Sequence, residues 1–171
     1  MERLTLRPVS VRSPAAMQRL GERLGRHLEP GDFIGLVGDL GAGKTVLVRG
    51  IATGAGVPSS EVASPSFSIV YPYRGRLPVY HADLYRVGDE DELYATGFFD
   101  LLAQGATVVE WIDRVPEAAP PDHLMVCIER TGERARRVRL EPHGERHTEL
   151  AAELERACRP RRAKKAGRGN G

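Results

Sequence analysis

The sequence predicts an α/β domain built on a parallel sheet. Two apolar runs carry that reading. Phe33-Ile34-Gly35-Leu36-Val37 and Thr107-Val108-Val109 are continuous rather than alternating, as strands covered on both faces are. The third observation is the order of signals after the first run. A glycine-rich turn follows it and then a helical stretch, the strand–loop–helix sequence of α/β units.

The remaining elements follow in order. Residues 5–11 alternate loosely and read as a first strand. Ser13-Pro14 supplies an N-cap and a proline at the first helical position. Met17, Leu20, Leu24 and Leu28 recur at helical spacing, so residues 14–28 are expected to form an amphipathic helix, ended by Pro30-Gly31. A helix is expected over 44–55 and a loop over 58–65. Residues 67–73 and 77–80 read as strands joined by a turn at Arg74-Gly75. Residues 89–94 and 98–103 read as short helices, and 116–122 as a proline-rich connection. Residues 124–128 and 138–140 are expected strands around an arginine-rich turn, and 145–157 a last helix. No internal repeat is visible.

The 171 residues are 41% hydrophobic and 28% charged, the proportions of a single domain with a real core. No run approaches the roughly 20 apolar residues of a membrane helix, and the N-terminal residues lack a secretory apolar segment. Cys127 and Cys158 are too few for a disulfide framework or a metal cluster. The expected setting is therefore a reducing cytoplasm with no membrane contact.

Charge divides the chain. The segment 159–171 holds six basic residues and no acidic one. Removing those six from the net charge of +2 leaves −4 for residues 1–158. The expected organisation is a catalytic domain over 1–158 and a basic, disordered tail over 159–171 that cannot offset its ordering entropy by burial. An acidic body argues against a protein whose main task is gripping nucleic-acid backbone. Among 25 basic residues only three are lysine: Lys44, Lys164 and Lys165. The body thus uses arginine at every basic position but one.

That one lysine lies in Gly38-Asp39-Leu40-Gly41-Ala42-Gly43-Lys44-Thr45, which matches the phosphate-binding pattern Gly-x4-Gly-Lys-Ser/Thr. Glycines let the backbone curl so that N–H groups converge on an anion. The following helix adds its own free amides and positive dipole end. Lys44 supplies a compact charge for the β- and γ-phosphates, and Thr45 a hydroxyl for Mg²⁺. A planar arginine could not take that lysine's place. Such a site also needs carboxylates at the C-terminal ends of parallel strands. Asp83, after Val79-Tyr80-His81-Ala82, and Glu110, after Ala106-Thr107-Val108-Val109, are the candidates.

The combination of that loop with Ser64-Pro65-Ser66-Phe67, His81-Ala82-Asp83-Leu84-Tyr85-Arg86 and Glu110-Trp111 resembles the TsaE (YjeE) family of tRNA threonylcarbamoyladenosine biosynthesis, in register over about 13–140. The loop is generic. The His-x-Asp-Leu-Tyr-Arg and Glu-Trp segments are specific to the family. Two departures are visible: Ser66 stands where the family usually has threonine, and Ala82 where phenylalanine is common.

The resemblance implies a P-loop NTPase-like fold, a mostly parallel doubly wound sheet with antiparallel additions. It implies ATP with Mg²⁺, weak hydrolysis alone, and a complex with TsaD and TsaB homologues that modifies the adenosine beside the tRNA anticodon. By that resemblance the nucleotide is bound by Ser13, near the adenine, and by Asp39, Leu40, Gly41, Ala42, Gly43, Lys44 and Thr45. Thr45 and Glu110 hold the metal, and Asp83 is needed for activity. Ser64, Pro65 and Ser66 form a switch-like loop, with Arg86 and Trp111 at the rim.

Two other classes compete with it. A guanine-reading GTPase needs an Asn/Thr-Lys-x-Asp element, yet the only asparagine is Asn170 and no lysine lies between Lys44 and Lys164. A small-molecule or nucleotide kinase would use the arginine-rich segment 129–137 as a lid over the transferred phosphate. The plainer expectation for that segment is a solvated hairpin turn. His81 is expected to orient its neighbours by hydrogen bonding, and Cys127 to be a small core residue.

Overall fold

A computed structural model describes residues 6–62 and 68–159. Among them seven strands form one sheet: β1 (Val9–Val11), β2 (Phe33–Val37), β3 (Val70–Arg74), β4 (Pro78–Asp83), β5 (Ala106–Glu110), β6 (His123–Arg130) and β7 (Arg136–His143), in the order β1-β7-β6-β2-β5-β4-β3. The four central strands β6, β2, β5 and β4 are parallel, and β7, β1 and β3 pair antiparallel at the margins. The sheet is thus mixed and mostly parallel, as expected. The apolar runs at 33–37 and 106–110 form two adjacent central strands, where continuous hydrophobicity is required.

Helices cover both faces. Helices α1 (Pro14–Arg26), α2 (Lys44–Gly54) and α5 (Glu145–Cys158) lie on one side, around Leu20, Leu24, Ile34, Leu36, Ile51 and Val126. The other side is covered by α3 (Glu90–Tyr94), α4 (Phe98–Leu101) and a short 3-10 turn at Ile112–Arg114, around Phe33, Leu93, Phe98, Val109 and Ile112. Alternate residues of β2 serve opposite cores: Phe33 faces α4, Ile34 faces α1 and α2.

Helices α1 and α2 approach so closely that their glycines lie against the partner's backbone. A Cβ on Gly25 would stand 2.1 Å from the Ile51 carbonyl oxygen, and one on Gly54 2.1 Å from that of Glu22. Close approach fixes where α2 begins, and so where Lys44 and Thr45 sit.

Several boundaries differ from the sequence reading. The first strand starts only at Val9. Strands β6 and β7 run eight residues each, because the hairpin pairing continues through the charged ends from His123↔His143 to Arg130↔Arg136. Strand β4 extends to Asp83, since it stays paired with β5 as far as Glu110. Expectations for Ser64, Pro65, Ser66 and the tail from 160 onward lie outside the described residues.

Candidate functional site

The C-terminal ends of β2, β5 and β4 share one row: Leu36 pairs with Glu110, and Glu110 with Asp83. The glycine loop 38–43 leaves β2 at that row and turns into α2. Its backbone needs glycine at two places, Gly41 with φ +80° and Gly43 with φ +109°, a region that costs other residues strain. Gly43 caps α2 without any side-chain bond, so the first amides of the helix point freely past its end.

Lys44 is 5% exposed. Its Nζ donates to the carbonyl oxygen of Gly38 and, at 3.0 Å, to that of Asp39. It also stands 3.9 Å from the centre of the Trp111 ring, a cation–π contact. Burial pulls the Lys44 ammonium below the ordinary lysine range, against the opposing pull of Glu110, Asp113, Asp39 and Asp83.

Glu110 is 4% exposed, and both its oxygens are engaged. The Thr45 hydroxyl donates to Oε1 at 3.1 Å, and His81 Nε2 lies 2.6 Å from Oε2. His81 is itself buried, stacked on Tyr73 and 3.5 Å from its hydroxyl through Nδ1. With Oε2 tied to His81, the oxygen on the α2 side is Oε1. His81 therefore orients a neighbour, and that neighbour is Glu110.

Asp83 ends β4, half-buried, where its Oδ1 accepts from the Tyr85 amide at 3.0 Å. Trp111 is the one non-glycine residue with positive φ among the described residues, at +59°. A bulky side chain in that region stores backbone strain, of order 1–3 kcal/mol. Its ring packs on Tyr85 at 5.0 Å while facing Lys44. Arg86 is exposed and makes no hydrogen bond or ion pair among the described residues. Leu40 is 76% exposed at the loop tip. Ser13 caps α1, accepting from the Ala16 amide at 3.1 Å, and helps line a pocket of about 200 Å³ with Met17, Gly41, Gly43, Val46 and Arg136.

The structure thus brings together Thr45, Lys44, Glu110, Trp111 and the loop, with Asp83 one strand away and Ser13 across the loop. Arg86 stays apart. Sequence reasoning missed two participants. Asp113 acts on Lys44 from the 3-10 turn after Trp111; an aspartate three positions beyond Glu110 was the available signal. Arg136 donates to loop carbonyls from a segment read as solvent-facing, and no local signal marks it. Cys127 is only half-buried and lines the groove beside the loop rather than the core.

The family model described as "Threonylcarbamoyl adenosine biosynthesis protein TsaE" matches residues 11–138. The tRNA threonylcarbamoyladenosine biosynthesis protein TsaE of Bacillus subtilis is 37% identical over 158 residues, spanning 91% of this chain and 96% of the relative. That of Streptomyces coelicolor is 39% identical, over 76% of this chain and 93% of the relative. A crystal structure of Bacillus subtilis YdiB superposes with a TM-score of 0.72 at 30% identity, covering 90% of this chain and 97% of that one. The loop, the His81–Glu110 pair and these matches agree: the chain belongs to the TsaE family of threonylcarbamoyladenosine biosynthesis proteins, which act in tRNA modification.

Proposed function

We propose that this chain is the Mg²⁺-dependent ATPase subunit of threonylcarbamoyladenosine formation, hydrolysing ATP slowly alone and within a complex with TsaD and TsaB homologues. The observation that carries this reading is the convergence on one point of the Lys44 ammonium, the α2 N-terminus and the Thr45–Glu110 pair. The loop amides and Lys44 bind and orient the phosphates. Among the described residues Lys44 is desolvated and held by two carbonyls and a π face, so phosphate oxygens are stronger partners for it.

The donor set suits Mg²⁺, a hard cation that takes one or two protein oxygens and completes its shell with phosphates and water. Thr45 Oγ1 and Glu110 Oε1 are such oxygens, 3.1 Å apart. Bound there, the metal would neutralise charge developing on the phosphoryl oxygens. His81 keeps the Glu110 carboxylate turned toward Thr45. Asp83, at the neighbouring strand end, is the acid we assign to positioning water, and Trp111 closes the site beside Lys44. Ser13 belongs to the base end of the cleft.

The hairpin geometry weighs against the kinase reading at one arginine. Within the arginine-rich segment 129–137, Arg136 is bound to backbone carbonyls of the loop and its own turn, and so is not free to swing as part of a lid.

Steady-state hydrolysis and nucleotide calorimetry on Glu110→Ala test the proposal. Turnover with Mg²⁺ should fall at least about a hundredfold while ADP affinity without metal changes less than about threefold, as for a group acting in the transition state. Equal losses in both would contradict the assignment. Phosphate appearing on an acceptor other than water would favour a kinase.

A further inference from the structure

We infer that Arg136 is a positioning residue that holds the glycine loop in its anion-binding form. This rests on the nucleotide reading above and extends it to the β6–β7 hairpin. The Arg136 Nε donates to the Ala42 carbonyl at 2.9 Å, and Nη2 to that of Gly41 at 3.2 Å. The third nitrogen, Nη1, is anchored to the hairpin's own turn, at 2.9 Å from the Ala135 oxygen, 3.2 Å from that of Gly132 and 3.3 Å from that of Glu133. One planar cation therefore ties a turn to a loop 94 residues earlier.

The consequence for the loop follows from peptide geometry. A trans peptide is planar, so its C=O and N–H point to opposite sides. With the Gly41 and Ala42 carbonyls drawn outward by Arg136, the amides of Ala42 and Gly43 turn to the inner side. The Ala42 amide is taken by the Asp39 carbonyl at 3.0 Å. The Gly43 amide has no protein acceptor among the described residues, and it stands at the start of α2 beside Lys44. Glycines at 41 and 43 make this loop soft enough to flip, and a loop that flips presents carbonyl oxygens to a phosphate. Arg136 opposes that flip. Its backbone position is set independently, because Arg136 pairs with Arg130 on β6 and with Val11 on β1, two residues before Ser13.

Lysine is no substitute by this account. A single ammonium lacks the flat fork that reaches Nε and Nη2 acceptors together while holding the turn.

The test uses the full chain and ADP as probe, by calorimetry, with thermal unfolding of the unliganded protein as the check on folding. Arg136→Met keeps the apolar stem and removes all donors; Arg136→Lys keeps the charge. Arg137→Met removes an equal charge one residue along, on the opposite face of the strand, where Arg137 pairs with Glu129 at 3.5 Å. ADP affinity should fall about tenfold or more in Arg136→Met and by a smaller factor in Arg136→Lys, with Arg137→Met within about twofold of the unaltered chain. The KM for ATP should rise by a similar factor while kcat changes little. Hydrogen exchange at the Ala42 amide, which the Asp39 carbonyl holds, should quicken without nucleotide in Arg136→Met alone. Should Arg136→Met fail to fold, the Arg136→Lys comparison carries the test.

Unchanged ADP affinity in both Arg136 variants overturns the bracing role and leaves the nucleotide reading standing. An equal loss in Arg137→Met also overturns it, since the effect would then be bulk charge. Absence of ADP binding by the unaltered chain overturns the nucleotide reading itself, and the bracing role with it.

Discussion

At Lys44 the chain keeps a cation where water is scarce, under Trp111 and against the Gly38 and Asp39 carbonyls. Burial lowers its proton affinity from the ordinary 10.5, even with Glu110, Asp113, Asp39 and Asp83 around it. Bound phosphates would reverse that shift, because an anion favours the charged form. ADP binding should therefore take up protons, increasingly so as pH rises toward the ordinary lysine value of 10.5. Calorimetry in two buffers of different ionisation enthalpy measures the uptake, and its absence across that range would contradict Lys44 as the phosphate ligand. This residue was legible in advance, because a lysine-poor body kept one lysine in a recognisable loop. The role of His81 was legible only in outline. That it orients something follows from its lack of a second histidine; that the something is Glu110, 29 residues away, required β4 and β5 to be paired.

Between elements, the tightest constraint is the seam of α1 and α2. Gly21, Gly25, Gly50 and Gly54 all lie against partner backbone, and backbone does not move aside as a flexible side chain does. Alanine is the better helix former by about 1 kcal/mol. Gly25→Ala should nonetheless destabilise the fold, by about 1–3 kcal/mol, as overpacking does. Chemical denaturation gives the sign directly, and a stabilised variant would show that the helices part at little cost. The strand cores were readable because apolar runs encode them locally. The glycine seam was not: each glycine sits in its own helix without a pattern that names its partner. Hairpin length escaped for a related reason. Charged ends such as Arg136 and Arg137 look like loop until the pairing from His123 to Arg130 is known.

Across the whole molecule the two ends of the sheet differ in chemistry. The site occupies the C-terminal ends of the parallel strands, and a histidine group occupies the other. There His123 stacks on His143 at 4.4 Å, and His147 Nε2 accepts from the Phe33 amide at 3.0 Å. Burial, together with the neighbouring His143 and His147, pulls His123 below the ordinary 6.5, against its bond to Pro120 and the nearby Asp122. A base whose folded pKa is depressed binds fewer protons folded than unfolded, so stability rises with pH through this window. The urea midpoint should therefore drop as pH falls below about 6.5 and level off below the folded value, less steeply in His123→Gln. An equal pH slope in that variant would remove His123 from the account. Fold class, the glycine loop and the candidates Asp83 and Glu110 were readable from motif and periodicity, both local. What was not readable, Arg136 above all, depends on which distant segments the sheet order brings together. A nucleotide site that drives tRNA modification must be intact for the modified nucleoside to form. In a host depleted of its own gene, the threonylcarbamoyladenosine content of tRNA is measured after expression of the unaltered chain or of Lys44→Ala at equal levels. The unaltered chain should restore the modified nucleoside and Lys44→Ala should not; full restoration by Lys44→Ala would contradict the claim that the nucleotide site drives the modification.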